Sequence, residues 1–385
     1  MSNHHSDITL LINSLGEGGA QRVVVTLAKQ FVKEGKKVTL LSLAKNDLYD
    51  LPPEVKRVYF TNKSRDSMLL IPYYAWKLRK YVKFTKTSVV QSYLFRANYV
   101  NILSKILGSM HLVQVSNRSV VSRFLSEGVS GKINLLLIKL LYGKADLIMY
   151  VSQRMKQDLH EHFNIRKDEV VIYNPYDIDR ILSDAEKQVN NFTFKKEKRY
   201  LVTVGRLISL KRFQDVIEVM QELPNDVELI LLGDGNEKEK LNTLSVEYGL
   251  EERVHFMGQV KNPYQYISRS DIFVSSSEVE GFPNVLLESM ICKTPIVSSD
   301  CVSGPREILA PSTDSSKQLK KGLEKAEYGL LYAVGDVSAL RDSIKLLLEE
   351  ANIKELYTSK AFDRAKHFSV EKIAQEYQCL FDSKL

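Results

Sequence analysis

The chain of 385 residues predicts an α/β protein made of two doubly wound parallel-sheet domains. Short apolar runs alternate with stretches of helical period in both halves, the pattern of parallel strands covered by helices. The length exceeds what one hydrophobic core ordinarily fills. Between the halves, residues 185–198 are polar and basic without apolar period, which suits a linker.

In the first half, strands are expected near 8–12, 38–43, 89–92, 112–115 and 147–151. The first of these, Ile8-Thr9-Leu10-Leu11-Ile12, runs into Gly16-Glu17-Gly18-Gly19 and then into the apolar-periodic run 23–31. That is strand, glycine loop and helix, and it aims a helix N-terminus at one point. Gly16 and Gly18 match two glycines of a dinucleotide fingerprint, but Gln21 stands where the third is required, so a Rossmann dehydrogenase is disfavoured. In the second half, strands are expected near 201–204, 229–232, 254–256, 272–275 and 295–298, and the run 368–381 reads as a helix.

The densest motif is Glu280-Gly281-Phe282-Pro283-Asn284-Val285-Leu286-Leu287-Glu288, directly after the apolar Ile272-Phe273-Val274. Gly281 tolerates a close backbone approach, and Pro283 suits the first helical position, where an N–H would be unsatisfied in any case. The N–H groups of such a junction and its helix dipole favour an anion, above all a phosphate. The acids then need other partners, and sugar hydroxyls supply them. Over a helical span the two acids stand roughly 12 Å apart, the scale of a nucleotide sugar. Taken alone, the pair reads rather as a loop acid satisfying a dipole and a solvated helix glutamate; the upstream loops reverse that.

Two further loops join it. Residues 200–204 run into Gly205-Arg206 and Lys211, a guanidinium fork and a point charge suited to a diphosphate, or else a solvated basic loop. After 227–232 come Gly233-Asp234-Gly235, which admit a base or phosphate close to the backbone, or form an ordinary turn. In a doubly wound sheet all these loops leave the C-terminal strand edge and are able to converge.

As an ordered set, Gly205-Arg206 with Lys211, Gly233-Asp234-Gly235 and the acid-x7-acid string resemble the retaining glycosyltransferases of GT-B fold. The likeness extends over essentially the whole chain, including residues 14–22 and Ala145-Asp146-Leu147-Ile148 with Val151-Ser152. Ser303-Gly304-Pro305-Arg306-Glu307 and the tail 367–374 are similar to the N-acetylgalactosaminyltransferases of bacterial lipid-linked N-glycan assembly. The resemblance implies two Rossmann-like domains facing a cleft. It assigns 1–185 to acceptor binding, 186–366 to nucleotide-sugar binding, and 367–385 to a helix crossing back to the first domain.

It also implies roles. Arg206 and Lys211 would hold the donor diphosphate and stabilise the departing nucleotide, and Glu280 would face the donor sugar. Gly281, Phe282, Pro283, Asn284 and Val285 would lend backbone N–H groups, and Glu288 would hold the ribose. Gly18 and Gly19 would present a helix N-terminus, with Gly233 and Gly235 at the base or phosphate. The donor implied is a UDP-sugar, acting as a co-substrate and not a cofactor, with no metal ion because Arg and Lys take its electrostatic place. Many members carry a histidine after a first-domain strand, but here 113–119 has none, and Asn117 or Arg118 stands in its place. His111, at the start of the same strand, reads as structural.

Charge is divided unevenly. Residues 1–190 hold 28 Lys and Arg against 17 acids, a net +11, within a total of +7. The stretch 56–86 carries nine basic residues and one acid, Asp66, interleaved with aromatics. It suits an anionic membrane surface or a lipid pyrophosphate, or else a solvated helix with an aromatic core face. Nucleic acid is disfavoured, since no recognised binding motif frames the aromatics. Three cysteines at 292, 301 and 379 offer neither metal-ligand spacing nor a disulfide framework. His4 and His5 lie too near the terminus to read as ligands, and no apolar leader or span of about 18 residues occurs.

The expectation is therefore a cytoplasmic glycosyltransferase, peripheral on the inner face of the membrane. It moves an N-acetylhexosamine from a UDP-sugar to a polyprenyl-pyrophosphate-linked or lipopolysaccharide-type acceptor. The rivals are a nucleotide-sugar epimerase of the same fold and a non-catalytic basic module.

Overall fold

The computed structural model describes residues 8–16, 18–64, 67–165 and 167–382. The chain forms two compact units, Met1–Pro175 with Phe368–Leu385, and Tyr176–His367. The polar stretch 185–198 lies within the second unit: Phe192 and Phe194 pack edge-on against Tyr200, and Tyr200 donates no hydrogen to Lys195 but accepts one from its N–H. His4 and His5 fall outside the described residues.

In the first unit, β1 (Ile8–Ile12), α1 (Gly19–Lys33), β2 (Val38–Ser42) and β3 (Lys56–Tyr59) are followed by α2 (Ile71–Thr85) and β4 (Val89–Tyr93). Then come α3 (Phe95–Ile106), β5 (Leu112–Asn117), α4 (Gly128–Leu141), β6 (Leu147–Tyr150), α5 (Gln153–His162) and β7 (Asp168–Val171). The strands are parallel, in the order β3-β2-β1-β4-β5-β6-β7, so the order reverses between β1 and β4. All five residues of β1 and of β4 are buried, as expected where helices cover both faces of a sheet. The stretch 56–86 is not one helix: its first residues form the edge strand β3, and the helix begins at Ile71.

The second unit opens with α6 (Ile178–Glu186), β8 (Arg199–Val204), α7 (Phe213–Val219), β9 (Val227–Leu232), α8 (Lys238–Glu247), β10 (Val254–Phe256) and α9 (Tyr264–Ile267). It continues with β11 (Ile272–Ser275), α10 (Asn284–Ile291), β12 (Ile296–Ser299), α11 (Pro305–Leu309), β13 (Leu323–Lys325), β14 (Leu330–Tyr332), α12 (Val337–Glu349) and α13 (Ala351–Ala365). The order is β10-β9-β8-β11-β12-β14-β13, parallel except for the edge strand β13, which runs antiparallel to β14. The reversal here falls between β8 and β11. The last helix, α14 (Val370–Asp382), belongs to the first unit. It buries Ile373, Tyr377 and Phe381 in the core with α1, where Phe381 meets Phe31 edge-on.

His111, just before β5, is structural. It is buried, with Nε2 at 2.8 Å from Asn101 Oδ1 and Nδ1 at 2.9 Å from Ser109 Oγ. Asn101 uses its amide nitrogen toward the Val90 and Gln114 carbonyls, so its oxygen accepts from the histidine Nε2–H, and the Ser109 hydroxyl donates to Nδ1. Burial pushes the imidazole down to about 4 from 6.5, with Lys105 acting the same way and Asp146 opposing. The unfolded chain therefore binds this proton first. The stabilising contribution is complete above about pH 6.5 and is lost as pH falls toward 4. Denaturant titrations of His111→Gln are expected to show a shallower loss of stability between these limits than the parent chain.

Candidate active site

Because strand order reverses between β8 and β11, the loops leaving their C-terminal ends lie side by side, where open α/β sheets bind ligands. The structure brings Lys211, after β8, directly onto Glu280, after β11, as an ion pair of two largely buried side chains. Ser277 Oγ donates to the same Glu280 oxygen at 2.7 Å. The backbone ties the loops as well, with Glu278 N–H donating to Leu210 O at 2.8 Å and Ser276 Oγ to Lys211 O at 2.7 Å. Arg206 extends from the β8 loop, exposed, and its side chain makes no hydrogen bond or ion pair with another described residue.

Gly233 and Gly235 sit at the same edge, but the close approach they permit is to the chain's own backbone. A Cβ on Gly233 would lie 1.8 Å from the Gly205 carbonyl oxygen, and one on Gly235 would lie 2.3 Å from that of Leu207. Leu207 N–H in turn donates to Asp234 O at 2.9 Å. These glycines seat the loop that carries Arg206 and Lys211.

The span from Glu280 is not helical throughout: α10 begins at Asn284 with Pro283 at its N-cap, one residue earlier than the first-turn position expected. No acid occupies its first turn and no side chain caps it. Gly281, Phe282 and Val285 flank this start, and Tyr176 donates to Asn284 Oδ1 at 2.7 Å. The loop after β12 holds the turn from behind. Ser303, at φ 70°, donates to Gly281 O at 2.6 Å, and a Cβ on Gly304 would lie 2.3 Å from Pro283 Cδ. Arg306 anchors that loop through Asp300 at 2.6 Å and Glu324 at 2.8 Å. Glu288 is buried on α10, with the Tyr264 hydroxyl donating to it at 3.4 Å. Cys301, close to both Glu280 and Lys211, has its thiol held above the ordinary range by burial.

In the first unit, Gly18 caps α1 at φ 149° and Gly19 opens it, again without an acid in the first turn. Asn117 ends β5 fully buried, and neither of its amide atoms has a hydrogen-bond partner among the described residues. Arg118 donates to Asn174 Oδ1 at 2.6 Å and lies over the Tyr93 ring. Asp158, Glu161 and His162 cluster within 4.8 Å on α5, but the Asp158 carboxylate accepts the N–H groups of Val121 and Ser122 and so pins the chain after β5.

Sequence reasoning missed Ser277, Tyr264 and Tyr176 and gave Ser303 no role of its own, yet each orients an expected site residue. Hydroxyl residues beside a motif carry no periodic signal, and only the register of β11 and β12 brings Ser303 to Gly281.

Two doubly wound units, with a cation and an acid meeting at a switch point, define a two-domain α/β protein with a candidate ligand site at that point. Residues 17–180 match Glycosyltransferase Family 4 and residues 184–364 match Glycosyl transferases group 1. The chain belongs to the GT-B glycosyltransferases, and it is a glycosyltransferase. It is 30% identical over 375 residues to the N-acetylgalactosamine-N,N'-diacetylbacillosaminyl-diphospho-undecaprenol 4-alpha-N-acetylgalactosaminyltransferase of Campylobacter jejuni, covering 95% of this chain and 97% of that protein. A second Campylobacter jejuni relative, the alpha-1,4-N-acetyl-D-galactosaminyltransferase acting on GalNAc-alpha-(1->4)-GalNAc-alpha-(1->3)-diNAcBac-PP-undecaprenol, is 24% identical over 379 residues, 96% of each chain. The fold is similar to that of Anabaena HepE, solved with UDP, at a TM-score of 0.75 and 19% identity over 98% of this chain and 100% of that one.

Arg206→Ala is expected to change unfolding free energy by no more than about 0.5 kcal/mol, because the side chain is exposed and unpaired. Lys211→Ala is expected to cost about 1–3 kcal/mol, because it leaves the Glu280 carboxylate without its cation. Chemical denaturation of both variants distinguishes a free cation from a structural one.

Proposed function

We propose that the chain moves an N-acetylhexosamine, with retention and without a metal ion, from a UDP-sugar to a glycan carried on a polyprenyl pyrophosphate. The observation that carries this reading is the Lys211–Glu280 pair at the switch point, beside the uncapped start of α10. The printed activities of the two Campylobacter jejuni relatives support the sugar and acceptor classes, and the UDP bound to HepE supports the donor.

In this reading Lys211 exchanges partners. A diphosphate entering beside α10 competes with Glu280 for the ammonium, and Glu280, still held by Ser277, turns acceptor capacity toward sugar hydroxyls. Arg206 adds a second cation without breaking any existing bond. Charge grows on the leaving phosphate in the transition state, so fixed cations there stabilise it more than the ground state. Glu288 takes the ribose hydroxyls by sharing or replacing its bond from Tyr264. In the first unit, a hydroxyl or phosphate of a bound ligand would satisfy the unpartnered amide of Asn117. The exposed Trp76 and Phe84 of α2, with Lys80 over the Trp76 ring at 3.8 Å, face an anionic membrane, and the enzyme is peripheral on its cytoplasmic side.

A panel of UDP-sugars incubated with undecaprenyl-pyrophosphate-linked saccharides, read by mass spectrometry and by anomeric NMR, tests the reading. One added N-acetylhexosamine in α linkage is expected, and absence of transfer from every UDP-sugar would overturn it. Arg206→Ala and Lys211→Ala should each lower turnover on the order of a hundredfold. EDTA should leave activity unchanged, and loss of activity that magnesium or manganese restores would count against the metal-free reading.

A further inference from the structure

The first unit carries an outward apolar stripe that the reaction does not use. On α4, the exposed Val129, Ile133, Leu136 and Leu140 recur at helical spacing, and Leu125 continues the line just before the helix. Val129 is 75% exposed and Leu140 60%. At 100° per residue these α4 positions fall within an arc of about 60°, opposite the fully buried Ile138. A surface helix normally presents charge outward and apolar residues inward. Here both faces are apolar, with the exposed Lys132 and Lys139 along one edge of the outer stripe.

The surroundings say what covers the stripe. Between Asp66 and Asp146 the sequence holds 12 Lys and Arg and one acid, Glu127. Glu127 is itself paired with Arg123 at 3.0 Å, so no unpaired carboxylate faces the stripe from its own segment. The helices α2, α3 and α4 lie in one layer on the sheet. Tyr99 of α3 donates to Asn134 of α4 at 3.1 Å, and Arg79 of α2 lies by Gly108 at the end of α3, next to the exposed Leu107 and Met110. Apolar side chains rimmed by lysine and arginine, with the segment's one acid already paired, complement an anionic lipid bilayer.

We infer that α4 is a second element, beside α2, by which this chain seats on an anionic bilayer: its apolar stripe lies at the acyl boundary, with Lys132 and Lys139 at the phosphate level. The inference deepens the membrane-linked reading proposed above and rests on it. It differs in naming α4, where the sequence pointed only to 56–86.

The test is flotation of the full chain with vesicles of phosphatidylglycerol and phosphatidylcholine. The parent chain should bind and should be weakened, not released entirely, by high salt, because the apolar part of the contact is unscreened. Ile133→Glu/Leu136→Glu should weaken partition by roughly tenfold or more with an unchanged unfolding midpoint, since both side chains are exposed. In Trp76→Phe/Leu136→Trp, which leaves one tryptophan on α4, fluorescence should be quenched by brominated lipid. A parent chain that does not float overturns the inference, as does unchanged partition of the glutamate variant or an unquenched Trp at 136. So does a parent dimer, seen by light scattering, that the glutamate variant dissociates, because the stripe then belongs to a second copy. Partition is read without donor or acceptor, so failure of the transfer reaction and failure of this docking surface are separate results.

Discussion

Everything at the second unit's candidate site depends on one reversal of strand order. The chain lays β9 and β10 to one side of β8 and then returns to place β11 on the other, so the loops after β8 and β11 leave the sheet as neighbours. Lys211 and Glu280, 69 positions apart, meet as a consequence. A parallel ladder fixes that meeting closely, because a one-residue slip would turn every strand side chain to the opposite face. The register of β11 on β12 then adds the third loop, in which Ser303 and Gly304 sit in left-handed backbone to reach Gly281 and Pro283.

The site is consequently built from backbone approaches as much as from charges. Gly233 and Gly235 allow the loop after β9 to touch the loop after β8 with no side chain between them, and that contact sets where Arg206 and Lys211 emerge. Electrostatic stabilisation of a leaving group requires donors already aimed before reaction, since reorganising them would cost what they later supply. A loop tied by Glu278 N–H to Leu210 O and by Ser276 to Lys211 O has little freedom to wander. Arg206, whose side chain has no partner among the described residues, is the half of the pair free to meet a ligand without breaking a bond.

The sequence made the central strands legible because β1, β8 and β11 are mostly apolar runs bounded by turns and β4 opens on Val89 and Val90. It concealed β3, β7, β13 and β14. The first two are edge strands that begin with charged residues, and the last two are three residues long, too short to show a period. The charged site residues were visible as motifs. Their supporting hydroxyls were not, since Ser277, Tyr264 and Ser303 matter through tertiary register. The glycines at 233 and 235 were visible as glycines, but a sequence does not say whether the atom approaching is a ligand's or the chain's own.

The charge asymmetry acquires a physical purpose when set beside α4. A helix of 14 residues is shorter than the roughly 20 needed to span a bilayer, and no helix among the described residues is long and apolar enough to cross one. Its inner face is already committed to the core through Ile138 and Leu141, so only a narrow outer stripe remains. A narrow apolar stripe gives reversible attachment. The basic segment around it supplies long-range attraction, and it also keeps copies of the chain apart in solution, where a bare apolar stripe would promote self-association. The same lysines therefore serve both states of the protein, repelling other copies when free and drawing it to phosphate when a surface is near.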